Sequence, residues 1–330
     1  MKKIILSLVA LFSMSANSFA DGLTATLQQG DNMQAFYGVD AFKQAYEAAN
    51  DGAVITLSSG TFNPVDTVAK SIIINGYNAL HASYAKTSVD HITILADNVK
   101  VEGVYFNHDV RLGKVSNCHI LRCFLNDRLS ATETHTNTLV DQSVVKYDYA
   151  IGAGVNYVVR NSTLESFESM NTIANKAQIT NCVVWYWVWG NYCKQPYAIY
   201  MNNALGVYNS SYETIGISCS KYSEFYYNLF FRTYSCDVDF SFSDGCIQEG
   251  NIGYPYPDIF TKYFSKNLTY PAGELIKTST GMDGTSKGIY GGIGFTALPS
   301  IPRITSSTID SCTDAQGNIN VKISATTGSN

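Results

Sequence analysis

Chemistry in this chain would have to come from a few clustered side chains. All three tryptophans fall in one run, Val183-Val184-Trp185-Tyr186-Trp187-Val188-Trp189. Side chains alternate faces along an extended strand, so Trp185, Trp187 and Trp189 share one side and Val184, Tyr186 and Val188 the other. Aligned indoles can stack on the apolar C–H faces of sugar rings, and Lys194 follows closely with a positive charge. An aromatic stripe of that size on a soluble protein needs an occupant. Cover by the chain's own 190–204 loop, cover by a partner, or a bend in the strand would each remove it. The second cluster is Asp237 and Asp239, which alternate with Cys236, Val238 and Phe240. Their carboxylates should lie on one face about 7 Å apart, with Asp244 and Glu249 following. Such a pair suits calcium or acid–base chemistry, although a solvated strand face has the same pattern. Calcium is the one cofactor these residues suggest.

Several chemistries lack their residues. His81, His91, His108, His119 and His135 are scattered, and His119 should face solvent beside Cys118. No CxxC pair or Cys/His set has zinc spacing. Gly-x-Ser-x-Gly, P-loop and dinucleotide fingerprints are missing. A net charge of −5 argues against a nucleic-acid partner, whose phosphates need a Lys/Arg surface. Only 15% of residues are charged while tyrosines number 23, a balance that suits a β protein meeting neutral or sugar-like ligands.

The elements that must position these groups announce themselves by repetition. A six-residue phrase (β-branched, any, Asn or Gln, Cys or Ser, any, apolar) occurs at 115–120, 140–145, 159–164 and 179–184 and, with a final Tyr, at 207–212. Its third positions are Asn117, Gln142, Asn161, Asn181 and Asn209, separated by 25, 19, 20 and 28 residues. A unit of about 20 residues that cannot bury its apolar face alone implies stacked coils. The first residue should point inward, and the Asn should sit at a bend where its short amide tolerates the left-handed conformation. Stacked Asn side chains can bond one another between coils. The Cys or Ser and the final apolar residue then face inward on the next strand. A slot that takes either Ser143 or Cys182 wants a small buried group, so Cys118 and Cys182 read as core thiols. Local disulfides Cys118/Cys123, Cys182/Cys193 and Cys236/Cys246 remain the alternative. Asn161 and Asn209, although formal glycosylation sequons, read as buried ladder residues for the same reason. A degenerate copy at 101–106 is out of step, since 14 residues from Gly103 to Asn117 is too short for a coil.

The ends differ from the middle. Lys2 and Lys3, the apolar run Ile4–Phe12 and Ser18-Phe19-Ala20 form a signal-peptide pattern, with cleavage expected after Ala20 and export as the consequence. No segment reads as a membrane span. Residues 21–38 carry little pattern. Phe42, Ala45, Tyr46 and Ala49 then mark one amphipathic helix near 40–50, with Asp40 at its start and Gly52 beyond its end. Short β runs follow at Val54–Leu57, Gly60–Phe62 and Ile72–Gly76. After residue 250 the pattern loosens, and Ile319, Val321, Ile323 and Ala325 alternate as a last strand.

The helix with Ala45, Ala48, Ala49 and Gly52, the strand Val54–Leu57 and the following Gly60-Thr61-Phe62 resemble the opening of secreted pectin-lyase-like proteins. Asp283-Gly284-Thr285 and Gly288-Ile289-Tyr290-Gly291-Gly292 are similar to their closing segment. The resemblance spans roughly residues 38–295. It implies an all-β fold, a right-handed parallel β-helix (solenoid) whose open end is capped by the short N-terminal helix. The expected organisation is a signal peptide over 1–20, the solenoid over 21–298, and a linker and β tail over 299–330. Lyases of this fold use a Lys or Arg base, often with calcium, and Arg160, Lys221, Arg232 and Lys262 are available without a matching signature. The Asn-Thr-Asp, paired-Asp and Gly-His-Gly motifs of its hydrolases are absent. The expected role is recognition of a polysaccharide or cell-surface glycan. The alternatives are a polysaccharide lyase or glycosidase with an unrecognised site, and a structural or adhesive surface protein. Fold alone does not choose among them.

Overall fold

The structure is a computed structural model that describes residues 22–81, 84–167, 177–189, 192–193, 197–208, 215–217, 222–232, 238–242, 245–254, 280–296, 300, 303–309 and 321–326. The signal-peptide segment 1–20 lies outside these residues. Parallel strands stack coil on coil into a β-solenoid with very little helix. Two long sheets dominate, one of 12 strands and one of 14.

The inward column of the first sheet runs Ile55, Ile74, Val101, Ile120, Val140, Val159, Ile179, Tyr200 and Phe225, each paired with the next. The second sheet contributes Phe62, Val89, Phe106, Leu125, Val145, Leu164, Val184, Leu205 and Phe230. All of these side chains are buried in one continuous core. Buried apolar stacks of this kind are the main driving force for the fold. From Val101 to Ile179 each coil takes 19 or 20 residues.

Two corners flank the first sheet, and both use the same grammar. Before the sheet, Asn98, Asn117, Asn137 and Asn156 all have positive φ, between 51° and 58°. Their side-chain amides bond in a ladder, with Asn117 Nδ2 donating to Asn98 Oδ1 at 3.2 Å, Asn137 to Asn117 at 3.1 Å and Asn156 to Asn137 at 3.0 Å. After the sheet, Gly103, Arg122, Gln142, Asn161, Asn181, Asn202, Tyr227 and Gly250 take the left-handed position. The repeated phrase therefore mixes two registers: Asn117 belongs to the first corner, whereas Gln142, Asn161 and Asn181 belong to the second. That explains the irregular spacing of 25 and the 14-residue mismatch with Gly103. Asn209 lies outside the described residues.

The residue after the second corner points inward and must have its backbone N–H bonded, because an unpaired buried donor is costly. Cys123 N donates to Ser143 Oγ at 3.2 Å and Ser143 N to Ser162 Oγ at 3.1 Å. Further along the column Asn takes over: Cys182 N donates to Asn203 Oδ1 at 2.8 Å, Asn203 N to Asn228 Oδ1 at 3.0 Å and Asn228 N to Asn251 Oδ1 at 2.9 Å. Cys118, Cys123 and Cys182 are free and buried, and Cys246 is free and half-buried, so none of the local disulfides involving them is present. Burial pushes the Cys123 and Cys182 thiols up to about 12.

The N-terminal end is closed by more than the expected helix. Residues 24–37 form an antiparallel hairpin that extends the first sheet across Val54–Leu57. In its first strand only Ala25 and Leu27 are buried, and in the second the half-buried Phe36 packs against the core, too few apolar positions to register as a pattern. The helix spans Ala41–Ala48 and buries Ala41, Phe42 and Ala45. Asp40 makes no capping bond to it and instead accepts from Asn63 Nδ2 at 2.7 Å. Lys70 Nζ closes the other end by donating to the carbonyls of Tyr46, Glu47 and Ala49, where a cation also suits the helix dipole. In the tail, Val321–Thr326 pairs antiparallel with Arg303–Ile309.

Asn203 offers a direct check of the buried column. Its replacement by Ala strands the Cys182 N–H and the Ile179 carbonyl that Asn203 Nδ2 serves at 2.7 Å. Two unsatisfied buried groups should lower unfolding free energy by about 2–5 kcal/mol, read by urea denaturation.

Candidate functional site

On the outer face of the second sheet, one column is apolar apart from a single Thr. Tyr105, Phe124, Val144, Thr163, Val183, Ala204 and Leu229 align across successive coils. A strap formed by residues 280–296 crosses this column against the direction of stacking. Ile289 is buried against Val183, Ala204 and Leu229, with Tyr290 and Phe295 packed alongside. Phe295 also meets Leu80, Phe124 and Val144. The second corner holds the strap through its left-handed residues. Met282 N donates to Asn202 Oδ1 at 2.8 Å, and Asn161 Nδ2 donates to the carbonyls of Ile289 and Gly291 at 3.1 and 2.6 Å. Asn161 is thus buried as expected, but it serves the strap instead of an inter-coil ladder. Gly291 has no room for a side chain, since a Cβ would collide with Ser286 O and Asn181 Nδ2. Farther along, Ser300 donates from both N and Oγ to Glu102 Oε1, at 2.6 and 2.8 Å.

Beside the strap lies a polar and aromatic strip. Leu164 faces inward against Val145 and Val184, so the following residues Glu165, Lys146 and Trp185 turn outward on three adjacent coils. Trp185 is half-buried and packs on the Ile289 cluster. Burial pushes the Glu165 carboxyl up, partly countered by the Lys146 charge. Lys146 Nζ sits 5.5 Å from the Tyr147 ring centre, and Tyr147 stacks on Tyr149 at 6.2 Å. Burial, with the negative Glu165 and Asp127 in support, raises the Tyr147 hydroxyl. The strip therefore offers aromatic faces, one cation and a carboxyl held toward its protonated form.

The strand carrying it is anchored from inside. Asp148, one residue beyond Tyr147, is buried and accepts from Tyr157 Oη at 2.6 Å and from Ala150 N and Ile151 N at 3.1 and 3.2 Å. Burial outweighs these bonds and lifts its carboxyl to about 6. Glu102 is the opposite case. Burial works against its charge, but Lys100 Nζ at 2.8 Å and the two Ser300 bonds prevail and bring it down to about 2. Arg122 Nη1 adds a further contact at 2.8 Å and, through Nε, holds Gln142 Oε1 at 2.8 Å.

Of Trp185, Trp187, Trp189, Lys194, Asp237 and Asp239, only Trp185 has a described side chain. Trp187 and Trp189 lie in the strand Val183–Trp189, but their side chains, like Lys194 and Asp237, lie outside what is described. Asp239 falls in the strand Val238–Phe242, paired with Gly216, and its side chain is likewise outside. Glu165, Lys146, Tyr147 and Glu102 escaped sequence reasoning. The signal that finds them is register: each stands one or two positions from an inward residue of the repeat. Two histidines that look scattered are brought together, since His91 Nδ1 and His108 Nδ1 both meet Asp90, at 3.0 and 2.6 Å. His135 is buried instead, between Thr138 Oγ1 and Ala150 O. Among the described residues no group of three or more His, Cys, Asp or Glu is placed to hold a metal, and no helix is long and apolar enough to cross a membrane.

No family model, curated protein or solved structure matches this chain.

The two buried carboxyls predict opposite pH behaviour. Asp148, raised in the fold, costs stability above about 6, and that cost is relieved as pH falls toward its ordinary 3.8. Glu102 contributes stability above its ordinary 4.5, lost as pH falls toward about 2. Urea denaturation between pH 7 and 5 should therefore show wild type gaining about 1 kcal/mol relative to Asp148→Asn as pH drops. A constant difference between the two proteins would contradict this assignment.

Proposed function

We propose that the protein recognises a polysaccharide or cell-surface glycan along the outer face of the second sheet, as an exported protein of the pectin-lyase-like type. One observation carries the proposal: Trp185, Glu165 and Lys146 follow inward residues on adjacent coils, Trp185 packs against the strap, and Lys146 reaches the ring of the stacked Tyr147–Tyr149 pair. Aromatic faces match the C–H faces of sugar rings, and the neighbouring carboxyl and ammonium suit ring hydroxyls. The repeat of the solenoid favours an extended ligand, because adjacent coils present equivalent positions. The shared opening motif supports the family, and the n-region and apolar run of residues 2–12 support export. Trp187, Trp189 and Lys194 are added to this proposal on their place in the sequence alone. Calcium at Asp237 and Asp239 is a further proposal that rests on sequence alone.

A second reading, glycoside hydrolysis at the same face, draws on Glu165. A carboxyl raised by burial suits a general acid, and Asp127 acts on the same Tyr147.

One experiment addresses both. Titration with neutral and acidic polysaccharides should quench tryptophan fluorescence saturably, and Trp185→Ala should weaken binding about tenfold, the size of one aromatic contact. Absence of quenching across the panel would remove the binding proposal. Reducing ends measured in the same samples separate the readings: release that Glu165→Gln abolishes supports hydrolysis, and binding without release supports recognition alone.

A further inference from the structure

The strip of the second sheet is not level. The number of residues between two inward positions sets how far a coil stands out. Between Val145 and Asp148, both buried, lie only Lys146 and Tyr147, and Glu165 and Ser166 follow in the same register on the next coil. The coils on either side are longer. Leu125 and Leu129, also buried, are separated by Asn126, Asp127 and Arg128, and the pairing with the Lys146 strand slips there by one residue. On the other side the ladder from the Glu165 strand stops at Leu164–Val184. Trp185, Tyr186 and Trp187 then stand between Val184 and Val188, where the following strand has Gly206 alone. A bulge leaves its surplus residue unpaired and bends the strand, and with the core side filled the surplus must rise outward. Two low coils therefore lie between two raised ones, whose backbones are about 14 Å apart at three strand spacings.

The strap supplies a third wall. Val144 and Val183 precede the inward Val145 and Val184, so the column under the strap runs about 7 Å from the column of Lys146 and Glu165. Ile289 packs at Val183, and Phe295 at Phe124 and Val144, so the strap spans the low coils from one rim to the other. The fourth side carries Tyr147 and Tyr149, half-buried and stacked within 7° of parallel. Lys146, Glu165 and Trp185 are half-buried as well, as the floor and edge of a shallow recess would be. A polymer bound in mid-chain needs two exits from such a recess, whereas walls on three sides leave one.

We propose that this recess takes the terminal sugar of a polysaccharide, with the rest of the chain leaving over Tyr147 and Tyr149. The inference rests on the glycan reading of the same surface and adds which part of the polymer is held. The last ring lies between the Asn126 and Trp185 rims, with its hydroxyls toward Lys146 and Glu165. The test is calorimetric titration of the full chain with linear laminarin, mannan and xylan, each as a hexamer and as a soluble polymer of defined mean length. For a glycan that binds, hexamer and polymer should show equal affinity per mole of chain, with a single copy of the protein on each chain. Borohydride reduction of the hexamer tells the ends apart: retained binding assigns the non-reducing end, and lost binding the reducing end. Lys146→Met should weaken hexamer and polymer alike, about tenfold for the loss of one charge-assisted hydrogen bond. Deleting the exposed Asn126 gives that coil the two-residue floor of its neighbour and opens a second exit, so several copies should then load on each polymer chain. Several copies per chain on the wild type would overturn the inference and leave glycan recognition standing. A folded Asn126-deleted protein that keeps hexamer binding and still loads one copy per chain overturns it too. If the deletion unfolds the coil, the wild-type ratio decides alone. Binding to none of the glycans removes both the inference and the reading beneath it.

Discussion

From Gly103 onward the coils share one local requirement. The chain must turn out of the first sheet in a single left-handed residue, and the next residue must bring its N–H into the dry interior. The first demand is met by Gly103, Asn161, Asn181 and Asn202, whose conformations tolerate positive φ, and by Arg122, Gln142 and Tyr227, which are held there by context. The second demand is met by the side chain one coil farther on, from Ser143 to Asn251. Once both are satisfied, the inward residues on either side fall into register, and the apolar columns form without further instruction. Small hydroxyl or amide groups serve as acceptors because a larger group would displace the aliphatic stack.

The outer surfaces follow from that inner order. Register fixes which residues face outward, so Lys146, Glu165 and Trp185 share a strip. The strap uses the second corner as its track, with Asn161, Asn181 and Asn202 supplying bonds that a corner of aliphatic residues would lack. It also covers the apolar column of the second sheet, which otherwise would present a long exposed patch. Part of the aromatic cluster is thereby structural, since Trp185 packs on Ile289 while keeping an open edge.

The solenoid was legible because its period is carried by residue types with narrow roles. Asn at a bend and Cys or Ser after it betray a coil even when neighbouring positions drift. The same feature misled about register, since both corners obey one grammar and Asn117 looks like Gln142. The reduced state of Cys118 and Cys182 was legible from the shared slot. The N-terminal hairpin was not, because an edge ribbon with one half-buried face needs only Ala25, Leu27 and Phe36. Nor was the strap's route: Ser300 meets Glu102 across 198 residues of sequence, and no local pattern encodes so distant a contact. Of the candidate site, Trp185 was visible from composition alone. Its neighbours Glu165 and Lys146 became visible only when the coils were aligned.

The Ser300–Glu102 contact alters how the chain must be assembled. In a solenoid each coil ordinarily contacts only its neighbours, so folding can begin anywhere along the stack and spread from there. Here an early coil buries a carboxylate whose full complement of donors arrives with almost the last part of the chain. Until then Glu102 has only Lys100 and Arg122 for company, and the apolar column beside it stands open. The stack is thus a zipper whose final pull runs backwards, from late coils to early ones, and a chain cut short before residue 280 would be left with an unfastened seam.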